Sequence, residues 1–194
     1  SQITSLQTCC TATTMHIAWK QRDLLGGRLM VASSSNAGAT WTTKRLDTLG
    51  EFGGAPAIYA EGQAVHVVWA EMEAPQQTAL IRVLYSRSLD GGATWSTPVR
   101  ISSPTLCATV GPGGLHGDGQ HLTVAFVESQ VACGPNPGSA STKINVVRST
   151  DGGGSWGGPT RLDTTSEGEG PLAFDTATIV GSGPALHVLW PMFD

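Results

Sequence analysis

The chain has 194 residues, enough to bury a core without a metal or a dense set of disulfides. Charged residues make up only 13% and glycine contributes 25 residues, a composition of short strands and tight turns that excludes a helical bundle. The net charge of −4 without a basic stripe excludes binding driven by nucleic-acid phosphates, and no apolar run is long enough to cross a bilayer.

The opening SQITSLQTCC has neither a charged nor an apolar stretch, so any secretory leader is expected to lie outside the sequence. Residues Ser1–Thr14 are expected to supply a strand that closes a sheet begun by another segment. Cys9 and Cys10 are adjacent. They form either a strained vicinal disulfide or bonds to another part of the protein. Beyond them the chain repeats itself. HIAWK (16–20) alternates apolar and polar residues as a strand does, and RLMVASS (28–34) leads straight into the turn SSNAGATW (34–41). TTKRLDT (42–48) follows as a fourth strand.

The second unit repeats this order: APAIYAEGQ (55–63), HVVWAE (66–71), RVLYSRS (82–88), SLDGGATW (88–95) and STPVRIS (96–102). In the third, TVAFVE (123–128) and NVVRST (145–150) lead to STDGGGSW (149–156) and GPTRLDT (158–164). A fourth unit starts near Pro171 and runs through ALHVLW (185–190). Four strands of about five residues cannot bury both faces of one small sheet, so each unit must stack on its neighbours. The expected fold is an all-β propeller of four-stranded antiparallel blades, near 1–48, 49–103 and 104–164, with a partial blade over 165–194.

The turn pattern S-x-D-x-G-x-T-W resembles the Asp box, or bacterial neuraminidase repeat, of sialidases and related propellers. Ser88, Asp90, Gly92, Thr94 and Trp95 match at every fixed position. Ser149, Asp151, Gly153, Ser155 and Trp156 match with Ser for Thr, and Ser34, Asn36, Gly38, Thr40 and Trp41 match with Asn for Asp. Physically this is a folding device. The Asp or Asn side chain accepts hydrogen bonds from backbone N–H groups of its own turn, Gly takes angles a Cβ forbids, and Trp packs beneath the hairpin. The resemblance implies that these turns lie on the face away from an active site. For the same reason Gly153–Gly157, which fits G-x-S-x-G, is not a nucleophile elbow, because no strand-to-helix turn is present. The glycine-rich 111–119 opens no helix and cradles no phosphate.

Strand direction alternates within a blade, so the opposite face carries 20–28, 70–81 and 127–143 together with the linkers 47–56, 102–108 and 163–171. Ligands are expected there. Acidic residues gather on it: Glu71 and Glu128 recur two positions after Trp69 and Phe126, and Glu51 and Glu167 recur four positions after Asp47 and Asp163. With Arg22 these form the candidate ligand set, weighed against a solvated rim inherited with the repeat. Cys107 and Cys133 fall on the same face and are expected to pair. His16, His66 and His187 recur on the second strand but Thr123 breaks the series, so hydrogen-bonded structural histidines outweigh a metal ring. The reading calls for no metal and no cofactor.

Low charge, abundant Ser, Thr and Gly, and an even cysteine count point to an extracellular, secreted setting. Sialidases use an arginine triad, a Tyr–Glu nucleophile pair and an Asp acid/base. The early F/Y-R-I-P motif is absent here, and Tyr59 and Tyr85 both fall within strands, so no catalytic residue carries over. The leading expectation is a non-catalytic module that binds glycans or surface partners. The alternatives are part of a sialidase-like glycoside hydrolase, or an assembly protein that completes its propeller with a second copy or with the remainder of a longer chain.

Overall fold

The structure is a computed structural model that describes residues 2–23, 26–48, 52–72, 81–105, 107–109, 114–129, 142–163, 177–182 and 185–190. Among the described residues fifteen strands form two four-stranded antiparallel sheets, one five-stranded sheet and one strand pair. The first sheet is β1 (Gln2–Cys10), β2 (Met15–Asp23), β3 (Gly26–Ser34) and β4 (Thr42–Arg45), in chain order. The second is β5 (Phe52–Glu61), β6 (Ala64–Met72), β7 (Ile81–Ser88) and β8 (Val99–Arg100). The third contains β9 (Cys107–Thr109), β10 (Leu115–Asp118), β11 (His121–Ser129), β12 (Thr142–Ser149) and β13 (Thr160–Arg161). The last pair is β14 (Thr178–Ser182) and β15 (Ala185–Leu189). The result is a partial β-propeller, as the repeat predicts.

Two details differ from the sequence reading. The segment Gln2–Cys10 is the first strand of its own sheet, paired along its length with β2, and closes no other blade. The first strand of the third sheet is split: β9 pairs with the end of β11 and β10 with its start.

The sheets stack because each strand carries apolar residues on both faces. Between sheets one and two lie Ala18, Leu29, Val31, Val67, Trp69 and Leu84. Between sheets two and three lie Val68, Val83, Tyr85, Val124 and Phe126. Ala125, Val127, Ile144 and Val146 meet Ala177 and Ile179 of the last pair. Thus Trp69 and Phe126, which occupy one repeat position, both face the preceding sheet.

The first sheet has no preceding sheet among the described residues, and its outward residues show it. Leu6, Met15 and Trp41 are each more than two-fifths exposed. Trp95 and Trp156, by contrast, pack into the two inter-sheet cores. The three indoles therefore occupy one structural position, and their exposure differs only because their neighbours do.

Candidate functional site

At one end of each sheet the turn between the third and fourth strands is built as the motif predicts. In the second sheet the Ser88 hydroxyl donates to Asp90 at 2.7 Å and accepts from the Gly92 N–H at 2.8 Å. Asp90 accepts from the Thr94 N–H at 2.8 Å and from its hydroxyl at 2.6 Å. Ser149, Asp151, Gly153 and Ser155 repeat this geometry. Ser34, Asn36, Gly38 and Thr40 repeat it too, except that the Asn36 amide donates to the Thr40 hydroxyl at 2.9 Å. These hydrogen bonds favour the charged carboxylate: Thr94 first, then Ser88, pull Asp90 down to about 2, and Asp151 falls further. The indole N–H of Trp41 and of Trp95 donates to the carbonyl of Gly38 and of Gly92. The side-chain oxygens of each turn are thus bonded within the turn, while the Gly152 carbonyl accepts from Arg87 of the preceding sheet and the Trp156 indole N–H is buried without a hydrogen-bond partner among the described residues.

The opposite end gathers the candidate ligand residues. Glu71 and Glu128 do occupy equivalent places, but neither is a solvated rim residue. Glu71 is fully buried and Glu128 is 4% exposed. Glu71 accepts from the Thr48 hydroxyl at 2.7 Å and the Thr48 N–H at 3.2 Å. Its other oxygen accepts from the Trp69 indole at 2.9 Å. Glu128 accepts from the Ser103 N–H at 2.7 Å and from the Asn145 amide at 3.0 Å. Each glutamate therefore clamps the linker that arrives from the preceding sheet. Burial holds the Glu128 carboxyl above its ordinary range, against the pull of Ser103, Arg100 and Lys143.

Cations flank these clamps. Arg82 donates to the Thr48 hydroxyl at 3.2 Å, and Arg100 donates to the Ser103 carbonyl. Arg22 lies exposed near the end of β2, opposite Gly27, and no described hydrogen bond or ion pair joins it to either glutamate. Glu51 and Glu167 lie outside the described residues, as do 73–80, 130–141 and 164–176 of the expected ligand loops. The first expected loop, 20–28, is mostly strand.

A second recurring device was present in the sequence without being read. Asp47, Ser102 and Asp163 follow β4, β8 and β13 at one repeat position. Each side chain accepts an N–H in the first half of the adjacent third strand: Leu29 at 2.8 Å, Val83 at 3.1 Å and Ile144 at 3.0 Å. Arg45 and Arg161 grip Asp47 and Asp163 with two guanidinium nitrogens. The R-x-D/S spacing of RLD, RIS and RLD was the visible signal.

Two of the three recurring histidines, His16 and His66, take the structural role, while His187 lies exposed on β15. His16 Nδ1 lies 2.9 Å from the Ser33 hydroxyl and His66 Nδ1 lies 2.7 Å from the Tyr85 hydroxyl, both buried at inter-sheet seams. Burial lowers both imidazoles, and with Arg87 nearby His66 falls to about 4. Among the described residues no three or more of His, Cys, Asp and Glu come together to hold a metal. Cys9 and Cys10 are free thiols. Cys107 is disulfide-bonded, and Cys133, its expected partner, lies outside the described residues.

No family model and no curated protein matches the sequence. Solved structures do match in fold. The GH93 α-L-arabinofuranosidase of Fusarium graminearum in complex with arabinobiose superposes with a TM-score of 0.55 at 16% identity, over 92% of this chain and 52% of its own. A Hadza microbial sialidase matches with 0.61 at 18% identity, over 97% and 42%. Trypanosoma rangeli sialidase matches with 0.61 at 10% identity, over 98% and 34%. The chain thus spans about half or less of the length of these proteins, and the likeness is one of fold.

Proposed function

We propose that this chain is a propeller unit of the glycoside-hydrolase kind, acting on a glycan at the end of the sheets where the linkers enter. The observation that carries this reading is that glycosidase propellers of different substrate classes cover nearly the whole chain in the same arrangement. Two features support it. The acidic residues and cations of that end recur sheet by sheet, and the Asp, Asn, Ser and Thr side chains of the opposite turns are hydrogen-bonded within those turns. The turns are read as Asp boxes, and a secreted setting follows from the same reading.

A second reading, a glycan-binding module without chemistry, is favoured by one observation. Glu71 and Glu128 hold linkers, Tyr85 is buried between sheets, and the tyrosine–carboxylate pair Tyr59–Glu61 lies at the opposite, turn end of its sheet, so the described residues of the linker end leave no free carboxylate–tyrosine pair. The two readings separate on one experiment. The purified protein is assayed with fluorogenic sialosides, α-L-arabinofuranosides and β-fructofuranosides, and in parallel on a glycan array. Turnover of any of them establishes the first reading. Saturable glycan binding without turnover establishes the second, and neither turnover nor binding overturns both. Peptide mapping without reductant tests the Cys107–Cys133 pairing, which we propose because Cys107 is bonded and Cys9 and Cys10 are free thiols.

A further inference from the structure

In the seam between the first two sheets three side chains stand in one row across β1, β2 and β3. Cys9 is directly opposite His16, and His16 is directly opposite Ser33. Residues paired in this way on antiparallel strands share a face, and here it is the face turned to the second sheet. Gly92 of that sheet shows this, because a Cβ on it would collide with the Ser33 hydroxyl and stand 3.8 Å from His16 Nδ1. Cys9 keeps to the alternation: it is half-buried between two exposed neighbours, Thr8 and Cys10.

His16 is fully buried. Its Nδ1 lies 2.9 Å from the Ser33 hydroxyl, whereas its Nε2 is buried and has no hydrogen-bond partner among the described residues. The two tautomers differ in what this costs. With the proton on Nε2, the row would bury an N–H that donates to nothing. With the proton on Nδ1, donated to Ser33, Nε2 presents a lone pair, which is the state in which an imidazole binds a metal. The thiol across the ladder is the second donor. In the next seam the same place on the first strand belongs to Tyr59, whose ring stacks on His66 at a centroid distance of 6.0 Å, so that no thiol–imidazole pair forms there.

We propose that Cys9 and His16 form a two-coordinate site for a soft monovalent cation, copper(I). Metal–sulfur and metal–nitrogen bonds of about 2.3 and 2.0 Å, the lengths found for zinc, need donor atoms roughly 4.3 Å apart, which suits side chains directly opposite on a ladder. Three features select the ion. Thiolate sulfur with imidazole nitrogen is a soft donor set. No third His, Cys, Asp or Glu joins the pair among the described residues, so neither the tetrahedral set of zinc nor the oxygen shell of calcium is made. Charge decides the rest. On binding, the Cys9 S–H bond breaks, the sulfur bonds the metal and the proton passes to water. The sulfur–copper(I) unit is then neutral, whereas a divalent ion would leave a net charge in the seam. Cys10 points to the opposite face of β1 and takes no part.

The test uses the whole chain carrying Cys10→Ser, titrated without oxygen with copper(I) in ascorbate against the chromophoric chelator bicinchoninate. One equivalent of copper(I) is expected to bind, and X-ray absorption should show one sulfur and one nitrogen neighbour. Adding Cys9→Ser, or His16→Gln, should weaken binding by about ten-fold or more. Copper(I) should also raise the thermal transition of Cys10→Ser and leave that of the chain lacking both thiols unchanged. No binding by Cys10→Ser, equal binding after Cys9→Ser, or an absorption spectrum without a nitrogen neighbour overturns the proposal. The spectrum needs only Cys10→Ser, so it decides the matter even where His16→Gln does not fold.

Discussion

Ala37 adopts a left-handed backbone, φ 54°, at the place where Gly91 and Gly152 sit in the other two turns. A Cβ in that region costs about 1–2 kcal/mol, partly offset by the lower unfolded-state entropy of alanine. Ala37→Gly should therefore raise stability by about 0.5–1 kcal/mol, and Gly91→Ala should lower it by at least as much, since its Cβ also meets Gln63. Urea denaturation of both variants reads the pair. The adjacent cysteines separate at the same scale. They point to opposite faces of β1, and burial followed by the Cys10 thiol beside it pushes Cys9 up to about 12. Cys10 is exposed. At pH 8 a maleimide should label Cys10 in the folded protein and Cys9 only after denaturation, as mass mapping would show.

Among elements, the linkers are held by a few side chains each, the buried glutamates foremost. Glu71 is the only described acceptor for both Thr48 and the Trp69 indole, so Glu71→Ala leaves the buried indole N–H without a partner and unties the linker at the exposed Thr48. We expect a loss of about 1–3 kcal/mol in urea denaturation. Glu71→Gln restores an acceptor for Thr48 but sets an amide donor against the indole N–H, and should fall between parent and Ala. A loss below 0.5 kcal/mol for Glu71→Ala, roughly that of an exposed substitution, would contradict the clamp. These same glutamates mark the limit of what the sequence could tell. The strands and turns were legible because their signals are local: alternation along β6, and a hydroxyl, a carboxylate and a glycine at fixed offsets in 88–95. The destination of Glu71 was not, because its partner Thr48 lies in a linker whose path is fixed by stacking and not by its own residues. The recurrence of Glu71 and Glu128 was visible. Their burial was not, since a residue following Ala70 or Val127 near a strand end reads equally well as rim.

At the scale of the molecule, the seams that join sheets are sensitive to protonation. His66 lies inside one, bonded to Tyr85, with the turn of the next sheet seated on that pair. Burial first, then the Arg87 charge, lowers its folded value to about 4, while an unfolded histidine titrates near 6.5. Between those values the unfolded chain binds a proton that the folded chain refuses. Stability is therefore complete above about pH 6.5, is lost as pH falls, and stops falling on this account near pH 4. The slope from one such group cannot exceed about 1.4 kcal/mol per pH unit. His16 adds to it in the same direction. The turn carboxylates act lower: Asp90, held to about 2, adds stability above the ordinary aspartate range that is lost only as pH falls towards that value. The two effects thus occupy different windows, and His66→Gln should remove part of the upper one while leaving the lower. The amide both donates and accepts, so the Tyr85 contact can persist. Urea midpoints at pH 7 and pH 5 should converge in His66→Gln relative to the parent. An unchanged difference between the two pH values would mean that the seam tolerates the charge and that stacking does not depend on a neutral imidazole.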